Sequence, residues 1–344
     1  MKLIIKMPKI ARVITVVILS IIAFLSLVVF GVRAYFMAPI NDYYLASAKE
    51  FKIPGLGDNF VPQGFAYDAN QNRYLISGYF SNKTASAVYF VDGTSGQAKQ
   101  VRLAYKDGSP MKRHSGGVAF YSDFVYVAGS SANCVYVYSY SAMLAVNDGQ
   151  KVNALGEFSL VNPEDENDYI TASALSIDGN RLVINEFHYE PNYSLLDSHE
   201  MTTKAGDKHG GYAIAFYFSQ NEEFGLSKTP VCAYTIRDKV QGMAFHDGKI
   251  YCSTSYSLAN SVIYEYDRTK MKEESKIKLL GKEISLYAID SSIFTKSYTL
   301  PPMAEGIVFK DNKLLTMSEF ACNKYILGKF TSAKWCYATD LKLL

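Results

Sequence analysis

One phrase recurs five times along this chain, and recurrence at such a spacing commits the chain to a repeat architecture before any single segment is assigned. The copies read PQGFAYDANQNRYLISGYF from Pro62, HSGGVAFYSDFVYVAGSS from His114, TASALSIDGNRLVINEF from Thr171, VQGMAFHDGKIYCSTSY from Val240 and AEGIVFKDNKLLTMSEF from Ala304. Each is a short apolar strand, a polar turn and a second apolar strand ending in small or acidic residues. The aligned positions Gly64, Gly117, Ala174, Gly242 and Gly306 lie 53, 57, 68 and 64 residues apart, a period that suits one four-stranded propeller blade with generous loops.

Third strands follow the phrases: SAVYFVD to Asp92, CVYVYS to Ser139, YAIAFYF to Phe218, SVIYEYD to Asp267 and KYILGKF to Phe330, with Tyr, Val and Ile alternating as in half-buried strands. Weaker fourth strands fall at 101–105, 154–160, 231–236 and 284–289, and the charged stretch 268–278 reads as a solvated connection. The expected fold is all-β, a five-bladed β-propeller over 59–344, with a six-bladed form carrying one degenerate blade as the alternative. The linker 33–58 holds a strand that would close the ring against the last blade and leave no sheet edge bare.

Ahead of the repeats, 13–32 is an uncharged run rich in Val, Ile, Leu and Phe. As a helix it would span about 30 Å, the thickness of a bilayer's hydrocarbon core. Lys2, Lys6, Lys9 and Arg12 precede it and Arg33 alone follows closely, so the positive-inside rule puts the tail 1–12 in the cytoplasm and the propeller outside, as a single-pass signal-anchored membrane protein. A cleaved signal peptide is the alternative; its apolar region would run to only about 7–15 residues. Without those five cations the formal charge falls from +2 to −3, which leaves no bulk basic surface for nucleic acid. The cysteines, Cys134, Cys232, Cys252, Cys322 and Cys336, form no CxxC pair; an oxidising compartment permits a bond, with Cys322 and Cys336 nearest in sequence, and the odd count leaves a free thiol. The sequons at Asn82 and Asn192 matter only in a eukaryotic host.

In a blade the first strand leaves one face and the second returns to it. The starts supply Gln63, His114 with Ser115, Ser173, Gln241 and Glu305; the returns supply Ser77 with Tyr79, Ser130, Glu186 with His188, Ser255 with Tyr256, and Ser318 with Glu319. Such polar residues also satisfy strand ends and channel waters in any propeller hub. Three acids at one narrow mouth nevertheless repel one another unless a cation or a shared proton intervenes. Glu305, Glu319 and Glu186 are therefore the candidate catalytic groups, with Gln63, Gln241, His114, His188 and Ser173 as ligand-binding groups. Glu305 and Glu319 are the candidate metal ligands, and hard oxygen donors favour Ca2+. The insertion 187–210, FHYEPNYSLLDSHEMTTKAGDKHG, carries His188, His199 and His209 and is expected on the same face as a lid. Within it Asp197-Ser198-His199-Glu200 is a weak metal-type cluster.

Gln63-Gly64 and Gln241-Gly242, each followed by a second strand rich in small residues, together with Glu305-Gly306, resemble the five-bladed papaya-type glutaminyl cyclases. Glu305-Gly306 also resembles the gluconolactonase-type six-bladed hydrolases, where a Glu-Gly supplies a calcium ligand. The resemblance is at the level of single blades. Trp335 is the sole tryptophan, so a Trp-bearing blade motif is missing, and no second calcium ligand of the lactonase type can be matched. GxSxG, HExxH and Walker sequences are absent. The expected function is an anchored propeller outside the cytoplasm that binds, and turns over, a small polar substrate at its acidic mouth. A non-catalytic module for a protein or cell-wall glycan partner and a glutaminyl-cyclase-like acyltransferase are the alternatives.

Overall fold

The computed structural model describes residues 8–130 and 132–344. Most of the basic tail 1–12 therefore lies outside the described residues. Lys9–Met37 forms one helix whose apolar stretch is long enough to cross a membrane by length and composition, and only Phe36 in it is buried. A 3-10 turn at Ala38–Ile40 and a short helix at Asn41–Leu45 lead into the sheets.

Five blades form a closed ring. The first contains Phe60–Asp68, Arg73–Phe80, Ala87–Asp92 and Ala98–Ala104, joined at its rim by Lys151–Asn153; the second contains Ser115–Tyr121, Phe124–Gly129, Cys134–Ser139 and Gly156–Ser159. The third begins with Ala174–Asp178, Arg181–Asn185, Gly211–Phe218 and Leu226–Ile236, and the fourth holds Val240–His246, Lys249–Thr254, Ser261–Asp267 and Phe294–Leu300. Ala304–Lys310, Lys313–Ser318 and Trp335–Thr339 make the fifth, completed by Ser47–Lys52 from the start of the chain, antiparallel to Trp335–Thr339. That clasp joins both ends of the domain in one sheet and confirms five blades rather than six.

The repeated phrase has a steric origin. Each first strand lies at the hub beside the first strands of its two neighbours. A Cβ on Gly64 would overlap the backbone of Gly117 and Val118, one on Gly117 would overlap Leu175 N, and one on Gly306 would sit 2.7 Å from Phe65 N. A Cβ on Gly242 would similarly sit 3.0 Å from the Cα of Gly306. Glycine at this position is thus what lets adjacent hub strands approach, a matter of close packing rather than of unusual dihedrals. Between blades lie five apolar clusters, one for each interface, and Ile40 and Tyr43 complete the one between the fourth and fifth.

Two expected strands and one expected connection are corrected. KYILGKF is not a strand: Leu327–Phe330 is a 3-10 turn in which Gly328 lies hard against the Phe320 carbonyl, and Trp335–Thr339 takes the third place in the blade. The segment at 284–289 belongs to Lys282–Ala288, which pairs parallel with Leu226–Ile236 of the third blade instead of finishing the fourth. Nor is 268–278 a solvated connection. After a 3-10 turn at Arg268–Lys270, Glu273–Leu279 pairs with Lys282–Ala288, and this hairpin covers the third blade's edge with a strand bearing Glu273, Glu274, Lys276 and Lys278. Charges on an outermost strand discourage further pairing. Asp168 fixes the hairpin tip by accepting from Leu280 N and Gly281 N, each at 2.7 Å.

The N-terminal helix is packed onto the ring. Phe36 meets Phe320 edge-on with ring centroids 5.0 Å apart, and Arg33 donates to the Phe330 carbonyl at 3.3 Å.

Candidate functional site

The starts of the first strands and the ends of the second strands surround a cavity of about 520 Å3 at one end of the channel. Gln63, His114, Ser173, Gln241 and Glu305 come from the starts, and Tyr79, Ser130, Ser255, Tyr256 and Glu319 from the returns. Blade three returns instead into the long insertion, so its share of the wall is Phe187 and Tyr193 to Leu195. The opposite end of the channel is lined mainly by apolar side chains, among them Phe65, Val118, Leu175, Met243 and Ile307. Among the described residues the channel's buried carboxyls, Glu305 and Glu319, gather at the first end.

Glu305 and Glu319 are both buried on the wall, 3% and 8% exposed. Burial, and then the charge of Glu319, raises the Glu305 carboxyl far above the usual range, while Lys324 opposes this. Burial likewise raises Glu319 to about 7, against the lowering influence of Lys324, Tyr325 and Gln63. Two such neighbours cannot both ionise cheaply, so the pair keeps protons at a pH where ordinary carboxyls have lost them.

A hydrogen-bond relay runs away from this pair. Gln63 Nε2 donates to Glu319 Oε2 at 2.9 Å and to its neighbour Pro62's carbonyl at 2.9 Å, which fixes the amide's orientation. Gln63 Oε1 is then the acceptor facing His114 Nε2 at 2.5 Å, so Nε2 carries the hydrogen and Nδ1 is left as an acceptor. The His114 side chain is solvent-exposed at the mouth of the cavity, with the cavity walls crowded around its ring. Desolvation by those walls, together with the Lys324 charge, lowers it to about 4 and keeps the imidazole neutral. Lys324 Nζ donates to Tyr79 Oη at 2.7 Å above the acids.

Two candidate residues do not reach the cavity. Glu186 turns into the protein, where Oε1 accepts from Thr171 N at 3.0 Å and Oε2 from Tyr212 N at 3.0 Å and faces His199 Nδ1 at 2.8 Å. Its carboxylate holds the base of the insertion together. His188 points to the outer side of the same loop, with Nδ1 2.7 Å from Asp238 Oδ1. The cluster Asp197-Ser198-His199-Glu200 is divided, because His199 faces Glu186 whereas Glu200 lies near His188. Of the small residues at the strand ends, Ser77 donates to the Gly116 carbonyl at 2.5 Å and Ser318 to the Pro302 carbonyl at 2.6 Å, so both tie backbone. All five cysteines are free and buried.

Lys324, Tyr325 and Met303 also line the cavity without having been singled out in the sequence. The first two lie in the segment expected as strand, where KYILGKF masked them. The donors fit calcium only in part. Glu305 and Glu319 are two oxygen ligands beside an ammonium, whereas Ca2+ takes about six to eight.

No protein-family model and no curated protein matches this chain. Among solved structures it is similar to the glutaminyl cyclase of Myxococcus xanthus, at 11% identity over 85% of this chain and 93% of that one, with a TM-score of 0.42. It is also similar to the PQQ-bound aldose sugar dehydrogenase of Streptomyces coelicolor, at 13% identity, 79% and 76% coverage and a TM-score of 0.41. A chain of the nidogen/laminin complex matches at 8% identity, 76% and 73% coverage and a TM-score of 0.38. A glutaminyl cyclase is thus among the structural matches, all of them distant.

Proposed function

We propose that the protein is a membrane-anchored propeller that binds a small polar molecule in the Glu305–Glu319 cavity and turns it over by proton transfer. The observation that carries this reading is the buried carboxyl pair, Glu305 and Glu319, connected through Gln63 to His114, with burial raising both acids above the usual carboxyl range. Glu305 is suited to donate a proton and Glu319, poised at about 7, to accept one, which is the match of acidity to working pH that general acid–base catalysis requires. Gln241 and Ser173 supply the ligand with donors and acceptors from the opposite wall. The tyrosines and Phe187 give it flat apolar contacts.

Calcium enters this reading as a competitor of protonation, since a cation at Glu305 and Glu319 needs both ionised. The helix supports anchoring, and Lys9 and Arg12 at its start support a propeller on the far side of the membrane. A reporter fused after Leu344, active only outside the cytoplasm, tests that orientation.

The function is tested with the full chain in detergent. Small polar metabolites are screened by thermal shift, and those that bind are followed for conversion by mass spectrometry. Glu305→Gln is expected to cut conversion by at least about 100-fold while leaving affinity within a few-fold. Ligands that bind the unaltered chain and are never converted would make the propeller a binding module instead.

A further inference from the structure

We infer that the outer side of the 187–210 insertion is a divalent transition-metal site built from His188, Glu190 and Glu200. One ligand atom from each lies within 4.8 Å of the others. Nε2 of His188 is 3.5 Å from Glu190 Oε1 and 3.8 Å from Glu200 Oε1. Tetrahedral zinc with bonds of about 2.0 Å would space its ligands about 3.3 Å apart, so the three need only close slightly around an ion.

The acids alone would not make a site, since both are half exposed. His188 supplies what they lack. Its side chain is 7% exposed, and among the described residues its Nε2 is buried with no hydrogen-bond partner, an arrangement that costs free energy unless something binds there. The other nitrogen is already oriented, with Nδ1 2.7 Å from Asp238 Oδ1. A carboxylate on the far nitrogen is the usual outer partner of a metal-bound imidazole, because it fixes the tautomer that leaves Nε2 free to ligate. Gly210 backs the ring; a Cβ there would overlap Nδ1. Lys239 N holds the His188 carbonyl at 2.9 Å.

One imidazole and two carboxylates, with a fourth position for water, suit Zn2+ or Mn2+ better than Ca2+, which prefers oxygen throughout. The ion would bracket the loop between His188 and Glu200, the stretch that sends Tyr193, Ser194 and Leu195 into the cavity wall. This assignment is independent of what the cavity binds.

The test is calorimetric titration of ZnCl2 into the full chain in detergent after removal of metal, with CaCl2 as comparison. One equivalent of zinc is expected to bind on the order of 1 µM or tighter. The double variant E190Q/E200Q, altering exposed side chains that leave folding intact, is expected to weaken binding by about 100-fold. The variant E305Q/E319Q should bind zinc as the parent does. Failure to bind zinc, binding that survives E190Q/E200Q, or binding lost only in E305Q/E319Q would each overturn the assignment. Limited proteolysis gives a second readout: zinc should protect 187–210 from cleavage in the parent and not in E190Q/E200Q, and equal cleavage with and without zinc in the parent would count against the site.

Discussion

Gln63 donates to Glu319 across 2.9 Å although 256 residues separate them, so the first hub strand and the last return of the ring are joined at the acid pair. This contact favours the ionised form of Glu319, and its removal must push that carboxyl further up.

Gln63→Leu is therefore expected to raise the Glu319 titration above about 7, as read by 13C NMR of labelled glutamate or by the pH profile of ligand turnover. An unchanged or lowered midpoint would show that the amide does not act on the acid.

The pair also sets how stability depends on pH. Glu319 titrates near 7 folded against an ordinary 4.5, so its stabilising contribution is complete below about 4.5 and lost as pH rises through about 7. Glu305 acts in the same direction. His114, lowered to about 4 from 6.5, acts oppositely: its contribution is present above about 6.5 and lost as pH falls through about 4. Relative to the parent, Glu319→Gln should flatten the fall in stability between about pH 4.5 and 7, a change on the order of 3 kcal/mol. His114→Asn should steepen it. Urea unfolding at several pH values measures both, and the same slope in all three proteins would refute the coupling.

Gly117→Ala should cost about 3 kcal/mol, because the new methyl meets Leu175 N in the neighbouring blade and neither backbone can yield. Gly57→Ala, with open space around it, should stay within about 0.5 kcal/mol. Thermal unfolding compares the two directly.

The clasp can be weakened by a single side chain. Phe51 is 4% exposed in the strand that closes the ring, with its ring 4.7 Å from that of Tyr74. Phe51→Ala should lose about 3–5 kcal/mol and make the domain prone to association through the opened edge, seen as earlier melting and larger species in gel filtration.

The hub was legible in the sequence because one steric demand repeats there: wherever two hub strands touch, a glycine or alanine stands, and in four of the five blades the residue before it, Gln63, Ser173, Gln241 or Glu305, is polar and lines the cavity. What local pattern could not reveal was pairing decided at long range. Lys282–Ala288 reads like any amphipathic strand, and only its parallel partner Leu226–Ile236 determines which blade it joins. Glu186 follows the strand-end pattern of the mouth residues, yet the amides of Thr171 and Tyr212 turn its carboxylate inward. Lys324 and Tyr325 were hidden because alternation of Tyr, Ile and Leu resembles a strand. The 3-10 turn that follows them, with Gly328 packed on the Phe320 carbonyl, is not a strand.

The seam between Phe36 and Phe320 makes the helix a stalk without a swivel. Phe320 follows Glu319 directly, so the last turn of the apolar helix and the acid on the cavity wall are separated by one buried ring. A domain hung on a loose tether would sweep its opening through every bearing. Here Phe36 on Phe320 and Arg33 on the Phe330 carbonyl seat the helix against the ring, so the opening keeps one heading relative to the helix axis.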